Sequence, residues 1–175
     1  NVSTGECLRT LLGHSDELRS VVFNQDGQIL ISGSKDRTIR LWEVQTGKCL
    51  NTLIGHENWI WAIAFNPTHQ IIASGSEDRT VRLWSLATGK CLRVFQGYAN
   101  TIYSIAFVPL PNATPDPNTA STADLLASGY FDQVVRLWNI RNGEYTSFRG
   151  HTNAIRAVAL SSDGQLLASG GSSDD

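Results

Sequence analysis

Ser32-Gly33-Ser34-Lys35-Asp36-Arg37-Thr38-Ile39-Arg40-Leu41-Trp42 returns 42 residues later as Ser74-Gly75-Ser76-Glu77-Asp78-Arg79-Thr80-Val81-Arg82-Leu83-Trp84. Working outward from this pair, Gly13-His14 returns as Gly55-His56, and Gly97-Tyr98 and Gly150-His151 open two further copies. Across 13–54 and 55–96, 20 of the 42 aligned positions are identical. A fixed period of this length means one supersecondary unit stacked on copies of itself. Residues that recur in every copy build the copies, so function is to be sought where the copies differ.

One copy reads as four short strands. Residues 18–23 are rich in Val and Leu and end at the turn Asn24-Gln25-Asp26-Gly27. Residues 28–34 form a second apolar run ending at Lys35-Asp36, and 38–44 alternate, with Ile39 and Leu41 opposite Thr38, Arg40 and Trp42. After Thr46-Gly47 comes a fourth run, 48–54. Short strands joined by tight turns predict an antiparallel meander, and no stretch carries helical spacing, so the expected class is all-β.

With Gly-His followed by Ser-Gly-Ser-x-Asp-x-Thr-x-Arg-Leu-Trp, the chain resembles the WD40 repeat family. The final Asp of the Trp-Asp pair is replaced in Trp42-Glu43, Trp84-Ser85 and Trp138-Asn139. The likeness of neighbouring copies is similar to that in long bacterial WD-repeat proteins, where a propeller is fused to other domains. The resemblance implies a β-propeller segment of four-stranded antiparallel blades in an incomplete ring. Residues 1–175 are then one segment: a partial blade at 1–12, blades at about 14–54, 56–96 and 98–149, and a partial blade at 151–175. Gly97 to Asp132 spans 35 residues where Gly55 to Asp78 spans 23, which places a Pro-rich insertion loop at 109–122. The chain has no Met and both ends fall mid-repeat, as expected of a fragment of a longer propeller.

His14, Ser32 and Asp36, repeated as His56, Ser74 and Asp78, have the composition of a hydrolase triad. A triad occurs once per site, whereas this set recurs with Trp42 and Trp84. The resemblance implies structural tetrads in which the four side chains bond to one another. Blade three keeps Ser128, Asp132 and Trp138 but has Tyr98 for His, and is expected to be the least firmly tied. No catalytic residue and no enzymatic activity are expected. Cys7, Cys49 and Cys91 are 42 apart and occupy equivalent places. They lack metal-ligand spacing and read as buried structural thiols, so neither metal nor cofactor is expected.

The copies disagree just after Gly-His, at Glu17-Leu18-Arg19, Trp59-Ile60-Trp61, Thr101-Ile102-Tyr103 and Ala154-Ile155-Arg156, and at Lys35, Glu77 and Phe131 before the turn Asp. In related propellers these places line the partner-binding top face. Trp59, Trp61, Tyr103 and Phe131, edged by Arg19 and Arg156 with Glu17, Lys35 and Glu77, are the candidate partner-binding residues. Aromatic and Arg side chains dominate interface hot spots.

The expected function is a non-catalytic protein–protein interaction scaffold for a protein or peptide. The alternatives are a ligand-binding or enzymatic propeller and a self-assembly unit, including a homodimer closing one ring. A net charge of −2 with interspersed signs predicts no nucleic-acid partner, and no apolar run is long enough for a membrane span. A cytoplasmic location is expected.

Overall fold

The computed structural model describes residues 1–96, 100–108 and 124–172. Its strands form three four-stranded meanders and a hairpin, all antiparallel. The first sheet holds β1 (Leu18–Phe23), β2 (Ile29–Ser34), β3 (Thr38–Glu43) and β4 (Cys49–Ile54). The second holds β5 (Ile60–Asn66), β6 (Ile71–Ser76), β7 (Val81–Ser85) and β8 (Cys91–Phe95). The third holds β9 (Ile102–Phe107), β10 (Leu125–Tyr130), β11 (Val134–Asn139) and β12 (Tyr145–Arg149). β13 (Ile155–Leu160) and β14 (Leu167–Gly171) make the hairpin. The insertion predicted at 109–122 lies outside the described residues, as do Tyr98 and the chain end from 173. Among the described residues no helix is long and apolar enough to cross a membrane.

Because each strand alternates its side chains, every sheet has two apolar faces and must be covered by its neighbours. The core is accordingly three slabs between sheets. Ile31, Ile39 and Leu53 meet Ile60, Ile63 and Ile72 in the first. Leu83 and Phe95 meet Ile102, Ile105 and Trp138 in the second, and Ala127 and Val135 meet Ile155 and Val158 in the third.

A glycine in the second strand of each sheet lets the next sheet close in. A Cβ added at Gly33 would lie 2.7 Å from Ile63, one at Gly75 2.5 Å from Ile102, and one at Gly129 2.6 Å from Ile155. The isoleucines are locked in the slabs, so Gly75→Ala must separate two sheets and should cost about 1–3 kcal/mol. At Gly170 an added Cβ meets nothing within 4 Å, so Gly170→Ala should stay within about 0.5 kcal/mol. Urea titration of the two variants checks the contrast.

The partial blade expected at 1–12 carries no strand. The segment nevertheless runs where such a strand belongs. Gly47 faces Leu11 and Arg9, as Gly89 faces Leu53 and Asn51 of β4 one repeat later. Arg9 fixes the arm by donating from Nε and Nη2 to the Gln45 carbonyl at 3.0 and 2.6 Å. With no third strand beside it, the arm has no ladder to join.

The thiols differ from expectation too. Cys7 and Cys91 are exposed and Cys49 is half-buried. β4 and β8 are outermost in their sheets, and Cys opens each of them at the rim.

On the first sheet, Leu18 is 51% and Val21 52% exposed, whereas their counterparts Ile60 and Ile63, covered by the preceding sheet, are 0% and 7%. This face of the first sheet is uncovered.

Candidate functional site

Two kinds of polar construction meet on the face formed by the β2–β3, β6–β7 and β10–β11 turns and the loops entering β1, β5 and β13. The first recurs. Trp84 Nε1 donates to Ser74 Oγ at 2.8 Å, Ser74 Oγ lies 2.7 Å from His56 Nε2, and His56 Nδ1 lies 2.6 Å from Asp78 Oδ2. Trp42, Ser32, His14 and Asp36 repeat the chain, each link at 2.7 Å. Each Asp also accepts from the Thr hydroxyl and amide two residues on, which ties the turn to the loop.

The order Ser Oγ–Nε2 and Nδ1–carboxylate is that of a nucleophilic triad. Ser32 and Ser74 are buried, however, and each Oγ already accepts an indole N–H. No electrophile reaches either hydroxyl, so these sets hold the fold.

Burial favours the neutral imidazole of His56 and pulls its pKa below the ordinary 6.5, although the hydrogen bond and charge of Asp78 oppose this. Neutral His56 donates from Nδ1 to Asp78 and accepts at Nε2 from Ser74, which leaves every donor in the chain used. Burial alone would raise the Asp78 carboxyl, but bonds from His56, Thr80 and the Glu57 amide hold it well below the carboxylate range. At Asp36 burial is likewise outweighed, by Thr38, His14 and the Ser15 amide, and the value falls to about 2.

The sign of the pH dependence follows. The unfolded chain takes up a proton at residue 56 near pH 6.5 that the folded chain refuses, so stability falls as pH drops below that value. Below the ordinary carboxylate value of 3.8, stability from Asp36 is lost as pH approaches 2. Urea midpoints measured from pH 8 to pH 3 should show both declines.

The third sheet departs from this pattern. Trp138 Nε1 still donates to Ser128 Oγ at 2.7 Å. Tyr130, fully buried where β2 and β6 carry Ser34 and Ser76, brings its hydroxyl within 3.2 Å of Ser128 Oγ. The Arg136 guanidinium stacks 4.2 Å over the Tyr130 ring and donates from Nη2 to Asp132 at 2.9 Å. Asp132 thus pairs with Arg136, an interaction the sequence reading missed. In the hairpin, His151 Nε2 keeps a 2.7 Å contact with Ser169 Oγ.

The second construction does not recur. In all four sheets the first strand carries a bulge, and the residue skipped by the ladder is Arg19, Trp61, Tyr103 or Arg156. A bulge re-aims the extra side chain out of the alternation. The four bulged residues consequently line up across the sheets. The Arg19 guanidinium lies 4.6 Å over Trp61, Trp61 meets Tyr103 edge-on at 5.2 Å, and Arg156 lies 4.0 Å over Tyr103. Trp59 sits 6.0 Å from Trp61 with Lys35 Nζ 4.3 Å over its ring, and Phe131 flanks Tyr103 at 6.2 Å. Trp59 and Phe131 remain 37% and 54% exposed. Glu17 Oε2 pairs with both Arg19 and Lys35, at 2.8 and 2.9 Å. Glu77 stands beside the row in the second sheet, its amide bonded to the Trp59 carbonyl at 2.9 Å. All nine candidate residues therefore fall on one face, in a connected arrangement.

A separate cluster was not legible in the repeat pattern. Asp124 is fully buried, and its two oxygens contact His69 Nε2 at 2.9 Å and Arg141 Nε at 2.8 Å. Its counterparts Gln28 and Gln70 are exposed. Arg141→Ala removes a cation from a fully buried carboxylate and should cost about 2 kcal/mol, read as a shift in urea midpoint. Among the described residues no group of His, Cys, Asp and Glu could hold a metal ion.

Comparison with known proteins joins these observations. The chain is 31% identical over 169 residues to the nuclear distribution protein PAC1 of Arthroderma otae, covering 97% of this chain and 30% of that protein. It is 45% identical over 168 residues to the small ribosomal subunit protein RACK1y of Oryza sativa subsp. japonica, covering 95% of this chain and 49% of that one. The chain thus spans half or less of these relatives. The solved structure of U3-55K superposes with a TM-score of 0.80 at 24% identity, covering 93% of this chain and 48% of that one, and shows the shared fold. The family model described as "WD domain, G-beta repeat" matches residues 5–43, 47–85, 89–139 and 143–175. Its first unit runs from the arm through β3, so each sheet takes its outer strand from the next unit. With four repeats matched over most of its length, the chain belongs to the WD40 (WD domain, G-beta repeat) family.

Proposed function

We propose that the chain is a non-catalytic interaction module that docks a protein or peptide segment along the row Arg19–Trp61–Tyr103–Arg156, with Trp59, Lys35, Phe131, Glu17 and Glu77 as its surround. The observation that carries this reading is the row itself. Four bulges at equivalent places present Arg, Trp, Tyr and Arg in turn, so neighbouring sheets differ there, while the tetrads of the first two sheets repeat bond for bond. Packing needs would recur with the repeat; a binding requirement need not. A photo-cross-linking benzoylphenylalanine in place of Phe131 should capture a defined partner, and one in place of the exposed Phe148 on β12 should not. Capture from position 148 alone would overturn the reading.

The uncovered face at Leu18 and Val21 favours a second reading, in which this segment also packs against further blades or a second copy. Light scattering over a concentration range tests the second copy. A mass twice 19.1 kDa supports a pair closing one ring, and a single-chain mass excludes it. A cytoplasmic setting and a protein rather than nucleic-acid partner belong to the same proposal.

A further inference from the structure

We infer that the segment docked on this row is acidic, with a carboxylate on Arg156 and an apolar side chain between Tyr103 and Phe131. This rests on the docking reading above and adds the chemistry of the partner. Three of the four aromatic rings are already covered by cations of this chain: Arg19 on Trp61, Lys35 on Trp59 and Arg156 on Tyr103. A cationic ligand would have to displace them. A stacked guanidinium, in contrast, uses its face for the ring and leaves its edge N–H groups free for a carboxylate.

The local charges point the same way. Arg19 and Lys35 share the single Glu17 carboxylate oxygen. Arg156 is exposed, contacts Ser172 Oγ from Nε at 3.2 Å, and has no carboxylate partner among the described residues. Asp132, next to Phe131, is neutralised by Arg136, and further acids sit toward the other end. Asp16 and Glu57 line a cleft of about 450 Å³ with Lys35 and Trp59, and Glu77 has its Oε2 enclosed. An acidic segment is therefore drawn to the Arg156 end, where Phe131 offers the most exposed aromatic surface of the row. The Trp61 indole N–H is enclosed without an acceptor, a further donor for a peptide carbonyl once the ring turns toward a partner.

The test uses three sets of fluorescein-labelled octapeptides with a fixed central Phe or Leu. Flanking positions are Asp/Glu in one set, Lys/Arg in the second and Asn/Gln in the third, and binding is read by anisotropy. The Asp/Glu set should bind best, and Arg156→Glu should weaken it about tenfold. Arg156 is exposed, so Arg156→Glu should melt with the wild type, which separates lost binding from lost fold. Preference for the Lys/Arg set, with binding still removed by Trp61→Ala, would overturn the acidic inference and leave the docking reading standing. Acidic binding indifferent to both Arg156→Glu and Trp61→Ala would overturn the two together. Failure of all three sets to bind would overturn the acidic inference alone, since cross-linking from position 131 decides the docking reading independently.

Discussion

Replacing His56 by alanine should lower the unfolding free energy by about 2–4 kcal/mol, and replacing His14 should cost clearly less. His56 is the central link of a closed chain: its removal leaves Ser74 Oγ without its acceptor and takes one bond from Asp78, which keeps those from Thr80 and the Glu57 amide. Ser74 is fully buried, and an enclosed hydroxyl left without its acceptor bears its desolvation cost. His14 makes the same bonds, but its side chain is 10% exposed against 0% for His56, and the sheet before it is uncovered. Water can repair part of the damage at position 14 and not at 56. Urea unfolding of the two variants side by side is the check; equal losses would show that position along the stack does not matter.

Trp61→Ala should abolish partner retention at concentrations that saturate the wild type, a loss of about 2 kcal/mol or more in binding, while the fold stays intact. Trp61 connects the two halves of the row, touching Arg19, Trp59 and Tyr103 at 4.6, 6.0 and 5.2 Å. Its removal frees Arg19 and leaves Tyr103 without its neighbouring edge, so the surface loses shape as well as area. The fold has less to lose there than at His56. Trp61 is a bulged residue off the ladder, and its enclosed Nε1 has no partner to forfeit. A conservative Trp61→Phe should retain much of the binding if area rather than the indole N–H dominates.

Recurrence decided what could be read from the sequence. The four-strand unit, the tetrads of the first two sheets and the variable positions were all visible because each is a comparison of one copy with the next. What escaped lies where comparison is silent. A bulge keeps the residue count of the repeat, so the spacing of Leu18-Arg19-Ser20 looks like unbroken alternation although the ladder skips Arg19. The cations over the rings come from adjacent sheets, a relation across copies that an alignment of copies does not contain. Tyr130 has Ser34 and Ser76 as its counterparts, so the comparison of copies did not show that its hydroxyl meets Ser128 or that Arg136 pairs with Asp132. The thiols were misjudged because Cys is usually buried, whereas here it opens the outermost strand. Asp124 stood at the margin of an insertion that has no counterpart, so nothing marked it as the centre of an ion cluster.

The central claim is that recurring residues hold this fold and non-recurring ones do its work. The most direct measurement takes wild type, His56→Ala and Trp61→Ala and records melting temperature and partner retention on the same preparations. The account predicts that Trp61→Ala melts with the wild type and retains no partner, while His56→Ala melts well below both and retains partner at temperatures where it is folded. Retention by Trp61→Ala, or a melting loss as large as that of His56→Ala, would contradict it.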